Sequence, residues 1–118
     1  SYAARDVTIV ITSDHGSVLC KRGTMAHGKK TTSTNLRYKY GDNLNSDPKE
    51  SMIVKKPDQW RLPSLTLATT YIIAKEDFYF VYPNNYNEMV RQFQNSFQHG
   101  GVSLEEMVVP VAVLRPRR

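Results

Sequence analysis

Asp14-His15-Gly16 and His99-Gly100-Gly101 are the two places where this sequence sets an imidazole beside residues that free the backbone. Asp14 adds a hard carboxylate to His15, and carboxylate with imidazole is an ordinary ligand mixture for Zn²⁺ or Mn²⁺. Adjacent side chains of an extended strand point to opposite faces, but a turn just past a strand end can bring both to one point. Gly16 permits the positive φ or close approach that such a turn needs. Gly100 and Gly101 do the same after His99. An isolated histidine of this kind reads as a cap or a surface residue; two such motifs in one short chain make metal ligation an equal alternative.

The elements that would position these residues follow from local pattern. Residues 6–12, rich in β-branched side chains, read as a strand buried on both faces, as in an α/β sheet. Polar chemistry just beyond the carboxyl end of such a strand is where open α/β sheets place ligands. Residues 21–35 lack a hydrophobic period and read as an exposed, functional loop. Residues 36–40 alternate apolar and basic, which predicts a half-solvated strand closed by Gly41-Asp42-Asn43. A short strand around 52–54 and two longer ones over 66–74 and 78–82 follow, with Lys75-Glu76-Asp77 as the last turn. Tyr86, Met89, Val90, Phe93 and Phe97 recur at helical spacing and predict one helix with a core-facing stripe. Ser103 and Glu106 have the spacing of a capping box, followed by a strand over 108–114 that Pro110 makes an edge or bulged one.

With 118 residues the prior is one domain or a piece of one. The longest apolar stretch, Met107 to Leu114, is interrupted by Pro110, well short of the ~18 residues of a membrane span. The first residues lack the layout of a signal peptide. A single cysteine excludes an intramolecular disulfide framework, and a reduced, cytoplasmic setting fits. Cys20 reads as a small buried residue and His27 as exposed. The net charge is +5, and Lys21, Arg22, Lys29, Lys30, Arg37 and Lys39 fall in a stretch without one acid. Such a segment beside a metal site would attract a polyanion, with Thr31-Thr32-Ser33-Thr34 adding hydroxyl contacts to phosphate. Lys29, Lys30 and Arg37 are the expected substrate contacts, Arg37 for its bidentate fork. A merely solvated loop explains the charge equally well. Glu105 and Glu106 read as structural, and the strand aromatics as packing rather than base-stacking groups.

Val10-Ile11-Thr12-Ser13-Asp14-His15-Gly16-Ser17 resembles the strand-end motif of the alkaline phosphatase superfamily. Residues 97–110, from Phe97-Gln98-His99-Gly100-Gly101 to Pro110, resemble the final histidine motif of its PglZ branch. The segments Asn35-Leu36-Arg37-Tyr38-Lys39-Tyr40-Gly41 and Tyr82-Pro83-Asn84-Asn85-Tyr86-Asn87 are similar to PglZ domains carried by response regulators of type IX secretion. The resemblance spans nearly the whole chain.

It implies the C-terminal segment of an alkaline phosphatase-like mixed sheet with flanking helices, incomplete as a stand-alone domain. Asp14 and His15 would be ligands of one ion of a two-zinc site, and His99 of the other. The activity implied is a phosphodiesterase acting on oligonucleotides, with a serine or threonine nucleophile upstream and no catalytic nucleophile within these residues. The segment alone is expected to be inactive. Implied partners are a histidine kinase, a sigma factor and the secretion machinery, without membrane insertion. Uncovered strands would favour a homodimer or strand exchange. The alternative from another class is a non-catalytic basic module that binds nucleic acid or an acidic protein.

Overall fold

Short β-branched and aromatic runs, punctuated by glycine, proline and asparagine, divide the chain into nine short strands and two short α-helices among the described residues. A computed structural model describes residues 5–29 and 33–117. The strands are β1 (Ile9–Thr12), β2 (Val18–Cys20), β3 (Arg22–Met25), β4 (Tyr38–Asp42) and β5 (Ser51–Val54). They continue with β6 (Thr69–Ala74), β7 (Phe78–Val81), β8 (Ser96–Gln98) and β9 (Val111–Leu114). Helix α1 (Tyr86–Phe93) lies between β7 and β8, and α2 (Leu104–Met107) precedes β9.

Among the described residues, pairing gives four small sheets in a mixed α/β arrangement. β1 and β9 form an antiparallel ribbon, and β2 pairs antiparallel with β8. β3 runs parallel to β7, and β6 lies between β4 and β5. The core forms around β7, where all four residues are buried. Side chains alternate across a strand, so Phe78 and Phe80 join Ala26, Leu44, Ile72 and Ala74 on one side. Tyr79 and Val81 join Val18, Cys20 and Leu36 on the other, with Met89, Val90 and Phe93 of α1 packed against them.

Several expectations are corrected here. The strand buried on both faces is β7 and not β1. Val10 and Ile11 are 59% and 56% exposed, because β1 has only β9 as a partner and no layer covers the ribbon among the described residues. The segment expected to be one long loop contains β3, whose pairing with β7 supplies the order that its Gly-Thr sequence does not advertise. β4 is shifted in phase from the half-solvated pattern: Arg37 and Lys39 are buried while Tyr38 and Tyr40 are half-buried. The helix is also shorter than its apolar stripe suggests. Asn95, at φ +62°, turns the chain out of α1, and its N–H meets the Cys20 carbonyl at 2.8 Å. Phe97 therefore sits on β8, 70% exposed, and not on the helix.

The radius of gyration is 18.8 Å, against about 13 Å for a compact domain of this length. That extension leaves much apolar surface uncovered, on the ribbon and on Leu104 and Met107 of α2. No helix is long and apolar enough to cross a membrane among the described residues.

Candidate functional site

His15 follows β1 and His99 follows β8, and the pairing of β2 with β8 brings these two exits together. Val18 lies opposite Gln98 in that register, so the residues just beyond the pair converge. The two imidazoles stack, with ring centroids 3.7 Å apart and planes inclined by 14°. His15 Nδ1 stands 2.7 Å from the Gly16 carbonyl oxygen. A carbonyl can only accept, so Nδ1 carries the proton there and neutral His15 keeps its lone pair on Nε2. Nε2 lies 3.7 Å from Asp14 Oδ1, and both side chains are open to solvent. The first histidine motif thus offers one carboxylate oxygen and one imidazole nitrogen to the same point. No group of three or more His, Cys, Asp or Glu side chains among the described residues is arranged to hold a metal ion.

Each glycine of the two motifs has a steric reason. A Cβ on Gly16 would stand 1.8 Å from the Glu105 carbonyl oxygen, and the Gly16 N–H donates to the Glu106 carbonyl at 2.9 Å. Gly100 has φ +108°, a conformation side chains disfavour. A Cβ on Gly101 would meet the Arg37 guanidinium at 2.6 Å. Asn35 Nδ2 also donates to the His99 carbonyl at 3.1 Å.

Arg37 is the main correction to the expected substrate contacts. Its side chain is fully buried and forks onto Glu106, Nε to Oε1 and Nη2 to Oε2, each at 2.8 Å. Nη1 donates to the carbonyls of Lys75 and Phe78. With its donors spent on the protein, the guanidinium has no fork left for a phosphate. Glu106 in turn accepts from Gly101 N–H, Ser103 N–H and the Ser103 hydroxyl. Burial pushes the Glu106 carboxyl up, but the Arg37 fork, the Ser103 hydroxyl and the two backbone N–H groups outweigh it and hold the group at about 2. The capping box expected at Ser103 and Glu106 is present. Its second role, as the counter-ion of a buried arginine, was not legible, because nothing in the sequence links residue 37 to residue 106.

The basic stretch is similarly revised. Arg22 is paired with Glu76 and Asp77 and lies over the Phe78 ring at 4.0 Å. Hydrogen bonding from Arg22 holds the Asp77 carboxyl below its usual range. Lys39 is buried. Lys21 and Lys29 remain exposed, while Lys30, with Thr31 and Thr32, lies outside the described residues. The stretch lacks acids in sequence but acquires them in space. Cys20 is fully buried, and that burial pushes its thiol up, which leaves it a packing residue. His27 is exposed, as expected.

Two strand-end histidine motifs thus meet on a mixed α/β core. A family model described as the BREX system PglZ alkaline phosphatase-like domain matches residues 3–114. The chain belongs to this PglZ family. No curated protein matches it closely enough to add to that assignment.

Proposed function

We propose that this chain is part of a metal-dependent phosphodiesterase domain directed at oligonucleotides, with Asp14 and His15 holding one ion and His99 serving a second. The meeting of His15 and His99 at adjoining strand ends is the observation that carries this reading. Zinc is the proposed ion. Two ligands at ~2.0 Å from a tetrahedral zinc stand about 3.3 Å apart, and the Asp14–His15 separation of 3.7 Å is close to that. The hydrogen bond from His15 Nδ1 to the Gly16 carbonyl holds the ring and leaves Nε2 as the nitrogen to face an ion. Bound metal would supply charge stabilisation to the attacking and leaving oxygens of phosphoryl transfer.

In this reading the nucleophile and the remaining ligands belong to a preceding segment of a larger domain, and the uncovered β1–β9 ribbon is consistent with that. Within the PglZ family we read residues 35–41 and 82–87 as most like the PglZ domain of PorX, a response regulator that controls type IX secretion. From that likeness come the proposals of a cytoplasmic setting, a histidine kinase, a sigma factor and the secretion machinery as partners. Lys29 and Lys30 are the proposed long-range attractors of substrate. The alternative of a non-catalytic basic module draws less support, since Arg22 and Arg37 are neutralised within the protein.

The test is metal content and phosphodiester turnover of the larger protein and its Asp14→Ala, His15→Ala and His99→Ala variants. Each variant should lose zinc, and kcat should fall by roughly two orders of magnitude or more. Variants that retain both zinc and turnover would overturn the assignment.

A further inference from the structure

A cavity of about 590 Å³ lies between β4, the end of β7 and α1, and shares no residue with the histidine site. That volume is in the range of small-molecule sites. Its walls divide by chemistry. Tyr82, Met89 and Phe93 give an apolar side, whereas Lys29, Thr34 and Lys39 give a polar one. Lys39 is the informative residue. It is 2% exposed, and its ammonium donates to the Ser33 carbonyl at 3.0 Å and sits 5.2 Å from the Tyr82 ring centroid. No carboxylate of the described residues is within ion-pair distance of it, although an ammonium has three donors to satisfy.

The same strand region contains the contrasting case. Arg37 is also fully buried, and there the fold provides Glu106 and two carbonyls. A buried cation costs stability unless it is paired and hydrogen-bonded. Arg37 meets that condition internally, while Lys39 meets it only in part, and does so at the wall of a cavity. Lys39 thus sets an ammonium with no carboxylate partner among the described residues at the wall of a cavity large enough for a small anion.

We propose that this cavity binds a small phosphomonoester with a flat apolar body, its phosphate on Lys39 and its body against Tyr82, Met89 and Phe93. A phosphomonoester brings three acceptor oxygens and close to two negative charges, which suits the Lys39 ammonium, the nearby Lys29 and the Thr34 hydroxyl. Stacking on Phe93 favours a planar group such as a nucleobase.

The probes are adenosine 5′-monophosphate, adenosine and inorganic phosphate, titrated calorimetrically into the protein with and without EDTA. The monophosphate should bind at least about tenfold more tightly than either of the others, a difference of ~1.4 kcal/mol, and EDTA should not change it. Indifference to EDTA separates this site from the proposed metal centre. Lys39→Met should weaken the monophosphate at least tenfold towards the adenosine value, with the fold checked by circular dichroism. Should that variant unfold, Phe93→Ala at the half-buried helix face tests the apolar wall and should weaken monophosphate and adenosine alike while sparing phosphate. Any of four results would overturn the proposal: no binding of the monophosphate at about millimolar concentration, equal binding of adenosine, equal binding of phosphate, or loss of binding with EDTA. Unchanged monophosphate affinity in a folded Lys39→Met protein would do so as well.

Discussion

Arg37 and Glu106 form a buried two-pronged ion pair, and both histidine motifs are tied to Glu106. Gly101, two residues beyond His99, donates to Glu106 Oε1, and Gly16, next to His15, donates to the Glu106 carbonyl. The guanidinium packs directly on Gly101. The ion pair thus braces the His99 exit through Gly101, and the backbone carbonyl of the same Glu106 braces the His15 exit.

Removing one partner should be costly. Arg37→Met or Glu106→Gln leaves a buried charge, and the expected loss is about 3–5 kcal/mol, read from the urea midpoint. Arg37→Met with Glu106→Gln should recover a good part of that loss. A double variant as unstable as the sum of the singles would show that the two residues do not act as a pair.

Acid should find the same weak point. The Glu106 carboxyl is depressed from 4.5 to about 2 in the folded protein. Its stabilisation is thus complete above the unfolded value and is lost as pH falls from about 4.5 through about 2. The shift corresponds to roughly 3 kcal/mol over that window. Denaturant midpoints followed between these pH values should decline in the wild type, and Glu106→Gln should flatten the decline.

Two glycines offer a matched comparison. A Cβ on Gly16 collides with backbone at 1.8 Å, whereas one on Gly41 finds its nearest neighbour, the Leu44 side chain, at 3.7 Å. Gly16→Ala should therefore destabilise by about 1–3 kcal/mol or more and displace His15. Gly41→Ala should be neutral or slightly stabilising, by up to ~1 kcal/mol. Thermal melts of the two variants check both values, and equal melts would contradict the close approach at Gly16.

The β1–β9 ribbon carries apolar side chains in the open, with Val10 directly across from Val113. This chain should self-associate with rising concentration through that face in sedimentation experiments. Val10→Lys with Val113→Glu replaces the apolar pair by a cross-strand charge pair that keeps the ribbon. That double change should return the chain to a monomer. Association unaffected by it would place the contact elsewhere.

Local pattern determined a good deal of this protein. The β-branched run before Asp14, the strand around 52–54, the larger part of the strands expected over 66–74 and 78–82, which form as Thr69–Ala74 and Phe78–Val81, the turn at 75–77 and the capping box at Ser103 and Glu106 are each set by neighbours a few residues away. Those signals are short-range, so the sequence displays them directly. The two histidine motifs were legible for the same reason, since each is an imidazole next to the glycine that its turn requires. What tertiary structure alone decided was which side chains face water and which charges meet. β1 and β7 are both short apolar runs, yet only β7 has layers on both faces. Arg37 and Arg22 look like parts of one uncompensated basic face along the chain, but Glu106 and the Glu76-Asp77 turn lie far from them in sequence and close in space. Coulomb attraction and burial act on distance through the fold, not on separation along the chain. Charge pairing and exposure at those positions were therefore settled only when the strands paired.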